Sequence, residues 1–159
     1  MGETKWELNK NKCRRNPLER NKFWCAWSCF SEADGSFVGA AFQRLTHVKS
    51  TLLAESLAAR MGMEFAWTKG WRRVIVESDS KHLIHCLRGE YETPLEAEII
   101  IGDILYLAQH MQVKFQHTSP VSNNVAHTIA HWDHGGLMES HWLDIPPHWL
   151  STTLLHDLE

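Results

Sequence analysis

Apolar and polar positions along the chain fall into short runs near the start and a longer rhythm later. Lys5-Trp6-Glu7-Leu8-Asn9 reads as a short edge strand, and Pro17 ends anything begun there. The aromatic run Phe23 to Phe30 predicts a second strand. Asp34-Gly35, inside Glu32-Ala33-Asp34-Gly35-Ser36, is a strong hairpin signal, and Phe37 to Leu45 is the returning strand. Ser50 or Thr51 then caps a helix running to about Lys69, with Gly70 as its stop. Val74 to Ser78 predicts a buried strand, Ser80 to Arg88 a short helix closed by Gly89, and Leu95 to about His110 a helix opened by Pro94. Val113 to His117 is a further strand, and Asn123 to about His134 a last helix stopped by Gly135-Gly136. A hairpin followed by strands alternating with helices predicts an α/β fold: a mixed central sheet, an antiparallel hairpin first, and helices packed on both faces.

Two carboxylates sit oddly in this pattern. Asp79 follows directly on the apolar run Val74-Ile75-Val76, at the carboxyl end of a strand, where open α/β sheets place their ligands. Glu55 begins the stripe Glu55, Ala59, Gly62, Ala66, whose three small residues let a helix lie close against a sheet. A carboxylate facing a sheet is unusual unless it has a task; the alternative is that Glu55 flares outward near the start of the helix. Delivered by a helix and a strand end, the two carboxylates suit a divalent metal.

Composition narrows the picture moderately. With 159 residues and 43% hydrophobic content, one domain with an ordinary core is expected. A formal net charge of -3 is not that of a strongly basic nucleic-acid binder. Basic residues nevertheless crowd the first segment at Lys10, Lys12, Arg14, Arg15, Arg20 and Lys22, as a solvated arm or as a phosphate-contacting one. The four cysteines form no Cys-x-x-Cys pair and no leader precedes them, so reduced thiols in an intracellular compartment, nucleus or cytoplasm, are expected. No run approaches the ~18 apolar residues of a membrane span, so no membrane partner is expected. Trp142 and Trp149 are expected to clamp the tail onto the body.

In order and spacing, several segments resemble the ribonuclease H fold. They are Asp34-Gly35-Ser36-Phe37-Val38-Gly39-Ala40, Ala54-Glu55 in a helix, and Glu77-Ser78-Asp79-Ser80 after a strand. The closest resemblance is to the plant branch of RNase H-like domains, often found in genes related to retrotransposons. His117, Asn123, Ala126 and His127 match that branch's His-x5-Asn-x2-Ala-His pattern, and Pro147-His148-Trp149-Leu150 with Asp157 its ending. The match covers about residues 23 to 158, which divides the chain into an RNase H-like domain over 23–159 and a basic arm or degenerate first strand over 1–22. The resemblance implies binding of an RNA–DNA hybrid by a monomer, and hydrolysis of the RNA strand with two divalent ions, Mg²⁺ or Mn²⁺. It assigns Glu55 and Asp79 as metal ligands, and Glu55, Asp79 and His127 as the catalytic set.

The chain departs from the family pattern at the first-strand Asp. Asp34 is not that residue. The interval to Glu55 holds one strand and a loop, whereas the family needs two more strands before the helix, at about 5–6 residues each. The true first strand must lie within residues 3–16, which contain no Asp; Asn9 or Asn11 is expected in its place. In addition, Pro120 stands where relatives tend to carry Arg. The expected function is therefore a nucleic-acid-binding domain with impaired catalysis; the alternatives are an active hybrid ribonuclease and a degenerate fragment serving as an interaction surface. Zinc is a poor alternative, since Cys25 and Cys29 on one strand stand about 13 Å apart. Trp67 and Trp71, flanking Gly70, are expected to pack the helix end, with base stacking as the sharper reading.

Overall fold

The computed structural model describes residues 4–12, 24–32, 34–119, 128 and 139–156. Three antiparallel strands come first: β1 (Thr4–Lys12), β2 (Trp24–Glu32) and β3 (Phe37–Leu45). The β2–β3 turn forms where Asp34-Gly35 predicts it. Gly35 adopts φ 84°, the left-handed backbone that glycine takes at little cost, and the Asp34 carboxylate accepts a hydrogen bond from the Ser36 N–H at 2.9 Å.

Helix α1 (Thr51–Thr68) follows, with the Ser50 hydroxyl accepting from the Leu53 N–H, and Gly70 at φ 76° just past its end. Strand β4 (Arg73–Ser78) returns parallel to β1, and α2 (Lys81–Leu87), α3 (Glu98–Ala108), β5 (Gln112–His117), β6 (Glu139–Leu143) and α4 (His148–His156) complete the described fold. A 3-10 turn over Leu95–Ala97 leads into α3. The sheet order is β5-β4-β1-β2-β3-β6, with β1–β4 and β4–β5 parallel and the other pairs antiparallel.

Both faces of the sheet are covered. On one, Ala26 and Phe30 of β2 and Val74 and Val76 of β4 pack under Ala54, Ala58, Ala59, Met63 and Ala66 of α1, with Ile101 and Ile104 of α3 in the same cluster. On the other, Phe42 and Leu150 are fully buried, with Cys29, Trp142 and Trp149 around them. Trp142 meets Trp149 edge-on at 5.9 Å, the clamp expected of the tail.

Two sequence expectations are corrected. β1 is no edge strand: the parallel crossover through α1 lays β4 against its free side, which no periodicity within a polar segment reveals. β6 was not anticipated, because five residues, Glu-Ser-His-Trp-Leu, carry too little pattern to announce an edge strand. The helix expected over 123–134 lies outside the described residues, apart from Thr128. Among the described residues, no helix is long and apolar enough to cross a membrane.

Candidate functional site

The carboxyl end of β4 is held from three sides. The Ser78 carbonyl accepts from the Thr118 N–H at 3.0 Å, and the Ser78 hydroxyl accepts from the Ser80 N–H at 3.1 Å. Ser80 in turn caps α2 through the Leu83 N–H at 3.2 Å. Asp79 is half-buried between these two serines, and His117, also half-buried, ends β5 directly opposite Ser78.

Glu55 lies inside the protein. It is 5% exposed, its Oε1 is shielded from solvent, and Ala59, Gly62 and Ala66 of the same stripe are buried as well. The outward-flaring alternative is thereby removed. The small-residue stripe explains the geometry: with only methyl groups and hydrogens between them, helix and sheet come close enough for the Ser28 hydroxyl of β2 to reach the Ala58 carbonyl of α1 at 3.4 Å. Phe30 stacks on Phe65 further along, at 4.6 Å. These two contacts fix the direction of α1 over the sheet. Glu55 lies one helical turn from Ala58, toward the start of α1.

The ladder places β1 between β2 and β4. Ala26, Ser28 and Phe30 pair with Lys10, Leu8 and Trp6, and from the other side Val76 and Ser78 pair with Trp6 and Leu8. The row of sheet positions beneath α1 therefore runs through Trp6, Leu8 and Lys10. Asn9 and Asn11 pair with Trp27 and Cys25, in the alternate row. Asn9 and Asn11, expected in place of the first-strand Asp, both lie in the second half of β1.

Asp34 is exposed in the β2–β3 turn, beside the residues that pair with the start of β1, and so at the opposite end of the sheet from Asp79. Sequence reasoning missed Glu77. It is 3% exposed, stands opposite Glu7 in the ladder, and accepts a hydrogen bond from the Gln116 amide at 3.2 Å. A charged residue closing the run Val74-Ile75-Val76 was the available signal. His127 lies outside the described residues.

Mg²⁺ and Mn²⁺ sites are built from clustered anionic oxygens, and among the described residues no three of His, Cys, Asp and Glu stand together in a geometry that holds a metal.

A reverse transcriptase-like family model matches residues 26–133, and the chain belongs to that family. Its fold is that of RNase H. RNase H1 from the halophilic archaeon Halobacterium salinarum superposes with a TM-score of 0.66 at 15% identity, covering 77% of this chain and 89% of that one. The N-terminal RNase H domain of rv2228c from Mycobacterium tuberculosis gives 0.65 at 18% identity, with 82% and 96% covered. LC11-RNase H1, solved in complex with an RNA/DNA hybrid, gives 0.64 at 14% identity, with 77% and 89% covered. No curated protein matches the chain.

Proposed function

We propose that this protein is a nucleic-acid-binding RNase H-type domain that engages RNA–DNA hybrids but has weakened or lost hydrolysis. The observation that carries this reading is that β1, Thr4–Lys12, contains no Asp. Two metal ions need every available negative charge. A first strand without that Asp lacks a ligand and one negative charge that both sites would share. Binding of the hybrid does not depend on that charge and rests on the RNase H fold, one of whose similar structures holds a hybrid. The resemblance to the plant branch supports a retrotransposon-related domain of this kind. Residual activity would run through Glu55 and Asp79, with His127 moving a proton. Mn²⁺ would support it better than Mg²⁺, because Mn²⁺ accepts nitrogen ligands more readily. The test is binding and cleavage of a labelled RNA–DNA hybrid measured side by side.

A further inference from the structure

At the opposite end of β4 from Asp79, the chain opens into a cleft of about 900 Å³ lined by Lys69, Trp71, Arg72, Arg73 and His110, with Glu32 the carboxylate on its wall. The six residues of β4 span about 17–20 Å, so this cleft is well separated from the carboxylate end. Trp67 and Trp71, which the sequence could not tell apart, have different surroundings. Trp71 packs inward against Phe30 at 5.4 Å and Phe65 at 5.8 Å, and serves the core. Trp67 is 38% exposed, and its neighbours are surface groups.

Those neighbours form a continuous ladder. Tyr106, 63% exposed, meets the His110 ring at 5.2 Å; His110 meets Trp67 at 5.8 Å; and the Arg72 guanidinium lies over Trp67 at 4.3 Å. Arg72 is preorganised there: its Nη1 donates to the Trp71 carbonyl at 3.1 Å and to the Trp67 carbonyl at 3.5 Å, and its Nε and Nη2 lie outside those two bonds. Lys69 and Arg73, both exposed, flank the same rim. Exposed rings in series beside a row of cations suit a chain of π-faces joined by phosphates.

We propose that the Tyr106–His110–Trp67–Arg72 ladder, with Lys69 and Arg73, is a second nucleic-acid site, one that takes single strands: unpaired bases stack on the rings and backbone phosphates pair with the three cations. It stands independently of how hybrid is held at the carboxylate end.

The probe is a labelled oligothymidylate of about 12 nucleotides, followed by fluorescence anisotropy across a salt series. The wild type is expected to bind saturably. Trp67→Ala and Tyr106→Ala should each weaken binding about tenfold, in the range measured for lost base–aromatic stacking. Arg72→Glu and Lys69→Glu should weaken it further, and each lost phosphate contact should flatten the salt slope by about 0.7. Affinity for a blunt RNA–DNA hybrid should stay within about twofold of wild type in Trp67→Ala, since a blunt duplex offers no unpaired base. Thermal melts confirm that the exposed substitutions leave the fold intact. Absence of oligothymidylate binding by the wild type, unchanged affinity in all four variants, or equal displacement by oligoglutamate would overturn the proposal. Hybrid binding that persists while oligothymidylate binding fails would remove this site alone; the reverse result would leave it standing without the hybrid reading.

Discussion

Lys10 of β1 stands opposite Ala26 of β2, in a strand that contains no Asp. Supplying the missing carboxylate by substitution tests the account. Asn9→Asp or Asn11→Asp is expected to strengthen Mn²⁺ binding at least about tenfold in calorimetric titration, a change of about 1.4 kcal/mol. No gain from either variant would contradict it.

Close approach of α1 to the sheet depends on Ala59, which is fully buried between Glu55 and Gly62 in the stripe. Ala59→Leu is expected to cost about 1–3 kcal/mol by overpacking. For a chain of this size that lowers the melting temperature by about 2–4 °C per kcal/mol. An unchanged melting temperature would show that the helix does not lie as close as the Ser28–Ala58 hydrogen bond implies.

Much of this was legible in the chain. Ser50, Gly70 and Gly89 punctuate α1 and α2 where a cap and stops were read, because those residues act through local backbone chemistry. The stripe from Glu55 to Ala66 and the strand-end place of Asp79 were legible for the same reason. What was not legible depends on partners distant in sequence. Whether β1 is an edge or an interior strand is decided by where the α1 crossover delivers β4. Glu77 went unremarked because its partner, Gln116, comes from another strand.

Asp34 serves its turn. Asp34→Ala is expected to leave hybrid affinity unchanged within error, whereas Gly35→Ala, forced to φ 84°, is expected to cost about 1–3 kcal/mol. Hydrogen bonds from Ser36 hold the Asp34 carboxyl below its usual range. Its contribution to stability is therefore present above about pH 4 and lost as pH falls through the lowered value. Asp34→Asn should remove that part of the acid sensitivity in denaturant melts; an identical pH profile for the variant would show that the turn hydrogen bond carries no linkage.

Burial pushes the Cys86 thiol up. A group whose folded value is raised contributes stability that is complete below the unfolded value, about 8.5, and is lost as pH rises through the folded one. Urea midpoints are therefore expected to decline between pH 8 and 10 more steeply in the wild type than in Cys86→Ala. Parallel curves would contradict the assignment.

The most direct test of the central claim follows one labelled RNA–DNA hybrid through binding and cleavage with Mg²⁺, using the wild type and Asp79→Asn. The account predicts saturable hybrid binding by both proteins and little or no cleavage by either over a long time course. Robust Mg²⁺-dependent cleavage by the wild type, abolished in Asp79→Asn, would contradict it and establish an active nuclease.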